Sequence, residues 1–263
     1  MFLILGSNGY LGNWTVKVLQ KQGYNVVGAN VRLENTNELL DVIKKSNCKY
    51  VICAAGISGK PTIDWCESNE ITTFNTNVLG ILNLIKICDE LDIHVTIYGS
   101  GLVYTGIKKL YKEDDIPDFT QKVYSKYRIL LEQILRTSPY KNWLYLRIIF
   151  PCTFDSNTKC FYNKLKDKPY LHDISVPLTI VPYMFEFIDK LLLRNTIGIY
   201  NFVNTGTVHL SKLNASADIR KPDVNARGAY ELDTTKLSKQ LKVEIMDVNM
   251  CLKLNLKNLQ SDK

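Results

Sequence analysis

With 263 residues, 46% of them hydrophobic and 22% charged, the chain can build a sizeable core as one domain or as one domain with an appended lobe. The net charge of +7 is scattered, and its densest runs (Lys108-Lys109, Lys164 to Lys168, the tail from Lys253) are short and separate, which argues against a nucleic-acid face. Seven cysteines with no CxxC pair and no His/Cys cluster at metal spacing argue against a metal site and fit reduced thiols. No apolar run approaches the roughly 18 residues of a bilayer span and no basic leader precedes Phe2, so a soluble, cytoplasmic protein is expected.

Short apolar runs alternate with helical stretches along the first half. Phe2 to Leu5 reads as a strand, then glycines, then a helix from about Leu11 to Gln22. A second strand is expected at Tyr24 to Ala29, a helix at about Asn37 to Lys45, and a third strand at Tyr50 to Ala54. One long helical region follows from about Trp65 to Leu91, then strand Val95 to Tyr98, a helix from near Lys122, and strand Trp143 to Ile149. Continuous apolar strands separated by helices predict an α/β fold: a Rossmann-type, doubly wound parallel sheet covered on both faces. After Pro151 the alternation loosens. A short helix near Phe161 to Lys166, a segment holding Pro169, Pro177 and Pro182, and a helix near Phe185 to Arg194 precede a strand at 198–203 and a polar C-terminal region. The expected organisation is a dinucleotide-binding domain over residues 1–150 and a mainly substrate-binding lobe over 151–263, whose late strand at about 198–203 returns to the sheet.

Gly6-Ser7-Asn8-Gly9-Tyr10-Leu11-Gly12 is a GxxGxxG between the first strand and the first helix. Glycines there permit a tight turn and close backbone approach to a pyrophosphate, which the helix N-terminus attracts. NAD sites usually carry an acid at the end of the second strand, about 20 residues after the glycines. Here the stretch is Gly28-Ala29-Asn30-Val31-Arg32-Leu33, with no acid before Glu34. A guanidinium pairs with a 2′-phosphate that a carboxylate would repel. Arg32 thus favours NADPH over NADH, unless it is simply a solvated surface arginine.

Ser100 follows the strand at Val95 to Tyr98 and falls at the carboxyl edge of the sheet, where ligands bind in this architecture. Tyr124 opens a helix. A tyrosine beside a cation can donate a proton to a carbonyl during hydride transfer, and Arg128, four residues on, shares its helix face. With fifteen tyrosines in the chain, a plain helix-surface aromatic is the other reading of Tyr124.

These features resemble the extended short-chain dehydrogenase/reductases, and among them the UDP-4-keto-6-deoxy-D-glucose 3,5-epimerase/4-reductases that form the C-terminal part of plant UDP-rhamnose synthase. The matching stretches include Gly9-Tyr10-Leu11-Gly12, Arg32-Leu33-Glu34-Asn35, Ala54-Ala55-Gly56, Asn75-Thr76-Asn77-Val78, Tyr124-Ser125-Lys126 and Gly198-Ile199-Tyr200-Asn201-Phe202. Asp64-Trp65-Cys66-Glu67-Ser68 and Glu231-Leu232-Asp233-Thr234-Thr235-Lys236-Leu237 are the most specific.

The resemblance implies UDP-4-keto-6-deoxy-glucose as substrate, NADPH as cofactor, a separate upstream 4,6-dehydratase as supplier, and a homodimer, the usual assembly of such folds. It implies Cys66 and Lys164 as the acid/base pair of epimerisation, and Tyr124, Ser100 and Arg128 as the reduction residues. Cofactor would be held by Gly6, Asn8, Gly9, Tyr10, Leu11, Gly12, Arg32, Ala54, Ala55, Gly56, Tyr124 and Arg128. Substrate would meet Ser58, Asn77, Ser100, Tyr124 and Arg227. Two departures stand out: Arg128 occupies the lysine position of Tyr-x-x-x-Lys, which is not a conservative exchange, and Ile149 stands where plant relatives have arginine. Two other functions fit the same motifs: a dTDP-4-dehydrorhamnose-type reductase without epimerase activity, and a non-catalytic NADP-binding regulatory subunit on this fold.

Overall fold

The structure, a computed structural model, describes residues 1–59, 62–222 and 227–261, with side chains to residue 255. Its largest sheet is parallel and has six strands: β1 Phe2–Leu5, β2 Val26–Ala29, β3 Tyr50–Cys53, β4 His94–Ser100, β5 Trp143–Ile148 and β6 Gly198–Asn201. Their order across the sheet is β2-β1-β3-β4-β5-β6. The winding direction reverses at β1, and a crevice for ligands opens at the carboxyl ends beside such a reversal. The register puts Ala29, Leu5, Cys53 and Ile97 side by side, so the loops that leave β1, β2 and β3 emerge at one edge.

β1 is buried along its whole length, as the continuous apolar run Phe-Leu-Ile-Leu requires. Its neighbours in the core come from α2 (Thr36–Ser46) and from α4 (Gly80–Glu90), where Leu39 and Ile43, and Ile81, Leu84, Ile85 and Cys88, recur at helical spacing. β2 starts two residues later than expected. Tyr24 leaves the ladder to pack edge-on against Phe2, 5.1 Å between centroids, and its hydroxyl donates to Asp189 Oδ2 at 3.0 Å.

The region expected to be helical from Trp65 to Leu91 opens on a 3-10 turn and carries a π turn within the helix that follows. A 3-10 turn at Ile63–Ser68 comes first, then α3 (Glu70–Phe74), a single π-helical turn at Asn75–Leu79, and α4. The helix Glu70–Glu90 is long and apolar enough to cross a membrane by length and composition alone. It packs as a core helix, with 56% of its most apolar window buried. The helix expected at Phe185 to Arg194 begins earlier, at Val181, because Pro182 sits in the first turn where its missing N–H costs nothing. A 3-10 turn at Phe185–Phe187 separates that turn from Ile188–Leu193.

The chain divides into two compact units, each made of three stretches: 1–103, 117–146 and 188–199 in the first, and 104–116, 147–187 and 200–263 in the second. The first holds most of the sheet and its covering helices. The second is stitched by three two-stranded ladders, pairing 110–111 with 231–232, 170–172 with 218–220, and 175–176 with 208–209. At its heart Arg147, fully buried, donates to the Tyr104 hydroxyl at 2.8 Å and to Asn201 Oδ1 at 3.3 Å. Asn201 in turn donates from its backbone to Glu113 Oε1 and from its amide to the Tyr111 and Asp233 carbonyls. Where the sequence shows only a polar C-terminal region, helices run over Thr235–Leu241 and Val248–Ser261. Asp233 Oδ1 accepts from Thr235 N at 2.7 Å at the start of the first. The distinctive Glu-Leu-Asp-Thr-Thr-Lys-Leu stretch is therefore framework: ladder strand, helix start and buried Leu237 in succession.

Candidate active site

The glycine loop leaves β1 at Gly6, whose φ of +75° and whose distance to the loop after β3 both demand glycine: a Cβ would lie 2.8 Å from Ala55 N. At Gly12 a Cβ would come within 2.1 Å of the Gly6 carbonyl oxygen. At Gly9 it would meet only that oxygen, at 3.0 Å. Gly9 is also the N-cap of α1 (Tyr10–Lys21), which has no side-chain cap and no acid in its first turn. Tyr10 and Leu11 are half-buried in that turn. A backbone cradle on an uncapped helix N-terminus fits a dinucleotide pyrophosphate.

The loop is braced from β2 by a residue that pattern reading passes over. Asn30 Oδ1 accepts from Asn8 N at 3.1 Å, and its Nδ2 donates to Ser7 Oγ at 3.1 Å. Next in the chain, Val31 and Leu33 point into the core and leave Arg32 exposed between them. Glu34, the first acid of this stretch, accepts a hydrogen bond from Thr76 Oγ1 on the π turn.

That π turn also aims Asn77. Wholly buried, Asn77 accepts from Ile57 N at 2.9 Å and donates to Ile57 O at 2.7 Å. Expected to meet substrate, it grips the loop that follows Ala54, Ala55 and Gly56. Ser58, just beyond, is exposed. A local switch to i→i+5 bonding reorients the side chains that follow it, and such turns recur at functional sites.

α5 (Val123–Thr137) brings Tyr124 and Arg128 to the same place. The Arg128 guanidinium carbon lies 5.4 Å from the Tyr124 ring centroid, and Nη1 donates to Tyr98 O at 3.4 Å. A Cβ on Gly56 would be 2.9 Å from Nη2. Arg128 is only 5% exposed, and its buried Nε–H has no hydrogen-bond partner among the described residues. Burial opposes its charge, but the phenols of Tyr124 and Tyr145 and the Cys53 thiol outweigh that and hold the guanidinium above its usual range. Ser100, buried at the end of β4, accepts from Leu102 N at 3.1 Å, while Ser125 Oγ donates to Leu102 O at 2.7 Å. One residue is thus held from both sides, which ties the Ser100 loop to the start of α5.

Cys66 lies at the middle of the 3-10 turn and is fully buried. Burial pushes its thiol up, a hydrogen bond with Thr73 pulls it down, Glu67 raises it, and the field of Arg128 lowers it, with a net rise. Around Cys66 the turn is laced to α5. Lys122 Nζ pairs with Asp64 Oδ1 at 2.9 Å, Val123 N donates to Glu67 Oε1 at 3.1 Å, and Lys126 Nζ and Tyr127 OH both donate to Glu70 Oε1, at 3.0 and 2.6 Å.

In the second unit, Lys164 is exposed on the short helix Phe161–Leu165. Its ammonium is lowered, by desolvation first and by Lys159 second, against the opposing Cys160. Cys160 hydrogen-bonds Cys152 and is shifted toward its thiolate, while Cys152 moves the other way. All seven cysteines are unpaired by disulfides and buried. Arg227 is half-buried in the same unit.

The profile of the NAD dependent epimerase/dehydratase family matches residues 2–154. Over 277 aligned residues the chain is 31% identical to the bifunctional dTDP-4-dehydrorhamnose 3,5-epimerase/dTDP-4-dehydrorhamnose reductase of Arabidopsis thaliana, covering 95% of this chain and 90% of that protein. It is also 31% identical to a trifunctional UDP-glucose 4,6-dehydratase/UDP-4-keto-6-deoxy-D-glucose 3,5-epimerase/UDP-4-keto-L-rhamnose-reductase of the same plant, of whose length it spans 39%. In fold it is similar to the L780 UDP-rhamnose synthase from Acanthamoeba polyphaga mimivirus, with a TM-score of 0.87, 24% identity and 97% of each chain covered. By profile and by relatives alike, the chain belongs to the NAD dependent epimerase/dehydratase family of enzymes.

Proposed function

We propose that the protein is a 3,5-epimerase/4-reductase that converts UDP-4-keto-6-deoxy-D-glucose into UDP-L-rhamnose. The observation that carries this reading is that the turn holding Cys66 is bonded to the start of α5, through Lys122 to Asp64 and Val123 N to Glu67, where Tyr124 and Arg128 also lie; a reductase without epimerase activity needs the phenol and no such thiol.

When bound, a nicotinamide cofactor supplies hydride to C4. The loop Gly6 to Gly12 and the start of α1 would hold its pyrophosphate, with Ala54, Ala55 and Gly56 alongside. NADPH is favoured: Arg32 is exposed to meet a 2′-phosphate, and the carboxylate of Glu34 is engaged by Thr76.

The 4-keto group acidifies the hydrogens at C3 and C5. Epimerisation removes each proton to a base and returns one to the opposite face of the enolate from an acid. Burial keeps Cys66 in its thiol form, which suits the acid. Lys164 takes the role of base because it stands at the position that matches the family's partner residue, and desolvation lowers its ammonium in the direction that role needs. In the reduction Tyr124 gives its proton to the C4 oxygen, Ser100 donates a hydrogen bond to that oxygen, and the Arg128 cation stabilises the charge left on the phenol. Arg227 is assigned to the nucleotide diphosphate on the family match.

The test is incubation of purified protein with the keto sugar and NADPH. Consumption of NADPH with appearance of UDP-rhamnose is the expected result. NADPH consumption that leaves C3 and C5 unexchanged in deuterated water would reduce the assignment to a 4-reductase, and no turnover would remove it.

A further inference from the structure

The residues that flank Cys66 do work that the reaction itself does not assign them. In a 3-10 turn, side chains three apart eclipse one another, so Asp64 and Glu67 lie on one face of the Ile63–Ser68 turn, and Glu70 continues the spacing at the start of α3. All three carboxylates meet the first turn of α5: Asp64 takes Lys122, Glu67 takes the Val123 N–H, and Glu70 takes Lys126 and Tyr127. Those four partners bracket Tyr124. α5 has no side-chain cap of its own, its N-cap residue being Lys122 in an extended conformation. The first helical N–H groups need an acceptor, and an acid there also faces the positive end of the helix dipole. Glu67 supplies both from outside the helix, one residue from Cys66.

We propose that Asp64, Glu67 and Glu70 form a clamp that fixes the Cys66 turn against the Tyr124 end of α5, with Glu67 as its principal positioning residue, so that thiol and phenol address one bound sugar. This rests on the catalytic reading of Cys66 and Tyr124 above. Proton exchange and reduction act on adjacent carbons of one ring, and a displacement on the order of 1 Å between two such groups can cost ~100-fold in rate.

The experiment measures two rates for each variant: deuterium incorporation from solvent into the keto sugar without NADPH, and NADPH oxidation. Glu67→Ala removes the acceptor for Val123 N, whereas Glu67→Gln keeps an oxygen in place. Expected are a fall in kcat of ~10-fold or more for both steps in Glu67→Ala with KM altered by less than about 3-fold, and recovery of most of the rate in Glu67→Gln. Wild-type kcat in Glu67→Ala, a loss confined to KM, or a Glu67→Gln protein as slow as Glu67→Ala each overturns the clamp. If Glu67→Ala does not fold, Lys122→Met combined with Lys126→Met and Tyr127→Phe removes the two outer rungs; slower steps at constant KM uphold the clamp and unchanged rates overturn it. Wild-type and Cys66→Ser controls separate the two ideas. If wild-type protein neither exchanges nor reduces, the catalytic reading fails; if it does both and Cys66→Ser stops exchange while Glu67→Ala is normal, only the clamp fails.

Discussion

Gly12→Ala and Gly9→Ala should part the two duties of the glycine loop, folding and cofactor binding. A Cβ at residue 12 would sit 2.1 Å from the Gly6 carbonyl oxygen and 2.8 Å from its carbon, so the backbone of the turn must move. Overpacking of this kind costs about 1–3 kcal/mol, and a contact so deep inside van der Waals range belongs at the upper end. Alanine regains about 1 kcal/mol over glycine inside a helix, leaving a net loss of about 2 kcal/mol. For a chain of this size that lowers Tm by about 4–8 °C. At residue 9 the only close atom lies at 3.0 Å and φ is −74°, which alanine tolerates, so Tm of the free protein should move by no more than about 2 °C. The methyl there would instead stand where phosphate must approach. Thermal denaturation with and without NADPH reads both effects, because ligand at 100 times its Kd adds about 2.7 kcal/mol. Gly9→Ala should keep its Tm and lose the NADPH shift; Gly12→Ala should lose stability before any ligand is added. A Gly12→Ala protein as stable as wild type, or a Gly9→Ala protein with a full NADPH shift, would refute this division.

Other substitutions test other parts of the site. Cys66→Ser should abolish deuterium incorporation at C3 and C5 while leaving NADPH binding intact, and normal exchange would remove Cys66 from the acid/base pair. Lys164→Met should slow exchange by ~100-fold or more, as followed by NMR of the sugar; an unchanged rate would discard Lys164 as the base. Arg128→Met removes one donor to the Tyr98 carbonyl and the cation beside Tyr124, so NADPH oxidation should fall by ~100-fold or more; a rate within threefold (roughly) of wild type would dissociate Arg128 from the reduction. The buried thiols predict alkaline instability. Burial raises Cys53 from 9.0 to about 12 and Cys251 to about 11. Folded values above unfolded ones mean stability that is complete below pH 9 and is lost as pH rises toward the folded values. At pH 10 the two together should cost about 3 kcal/mol. Urea midpoints at pH 8 and pH 10 check this, and equal midpoints would contradict it.

What could be read from sequence followed the strength of local signals. β1 and the GxxGxxG loop were legible because an all-apolar run and a steric need for glycine are written in adjacent residues. The break at Asn75–Leu79 was not, since Asn-Thr-Asn-Val-Leu keeps apolar spacing through a π turn and only tertiary bonds from Thr76 and Asn77 make the extra residue worth inserting. The C-terminal helices are not legible in the sequence because their apolar positions, Leu237 with Leu241 and Val248 with Cys251 and Leu252, are diluted by Lys, Asn and Ser. Ladders of two or three residues, such as 110–111 with 231–232, are too short to show any period. Within the site, Tyr124 and Arg128 were visible through their four-residue spacing. Asn30 was not, because its amide acts on a turn 22 residues away in the chain, and nothing in the local sequence requires that. The acids at 64, 67 and 70 did carry a signal, a spacing of three, which becomes informative only once the turn is known to be 3-10.

Arginine at position 128 reads from sequence as a handicap, and its surroundings give it a different meaning. An ammonium this deeply buried would be driven toward its neutral form and would lose the charge the phenol needs, whereas a guanidinium stays charged. A planar fork can also face the Tyr124 ring while an edge reaches the Tyr98 carbonyl, which a compact point charge cannot do at once. The extra bulk needs room, and Gly56 provides it: any side chain there would approach Nη2 to 2.9 Å. Gly56 sits in the loop that Asn77 grips through Ile57. The larger cation, the bare glycine and the π turn that delivers Asn77 thus form one packing solution. Lysine placed alone into this setting would inherit a cavity beneath Gly56 as well as a weaker hold on its proton, so restoring the family residue should not restore a better enzyme.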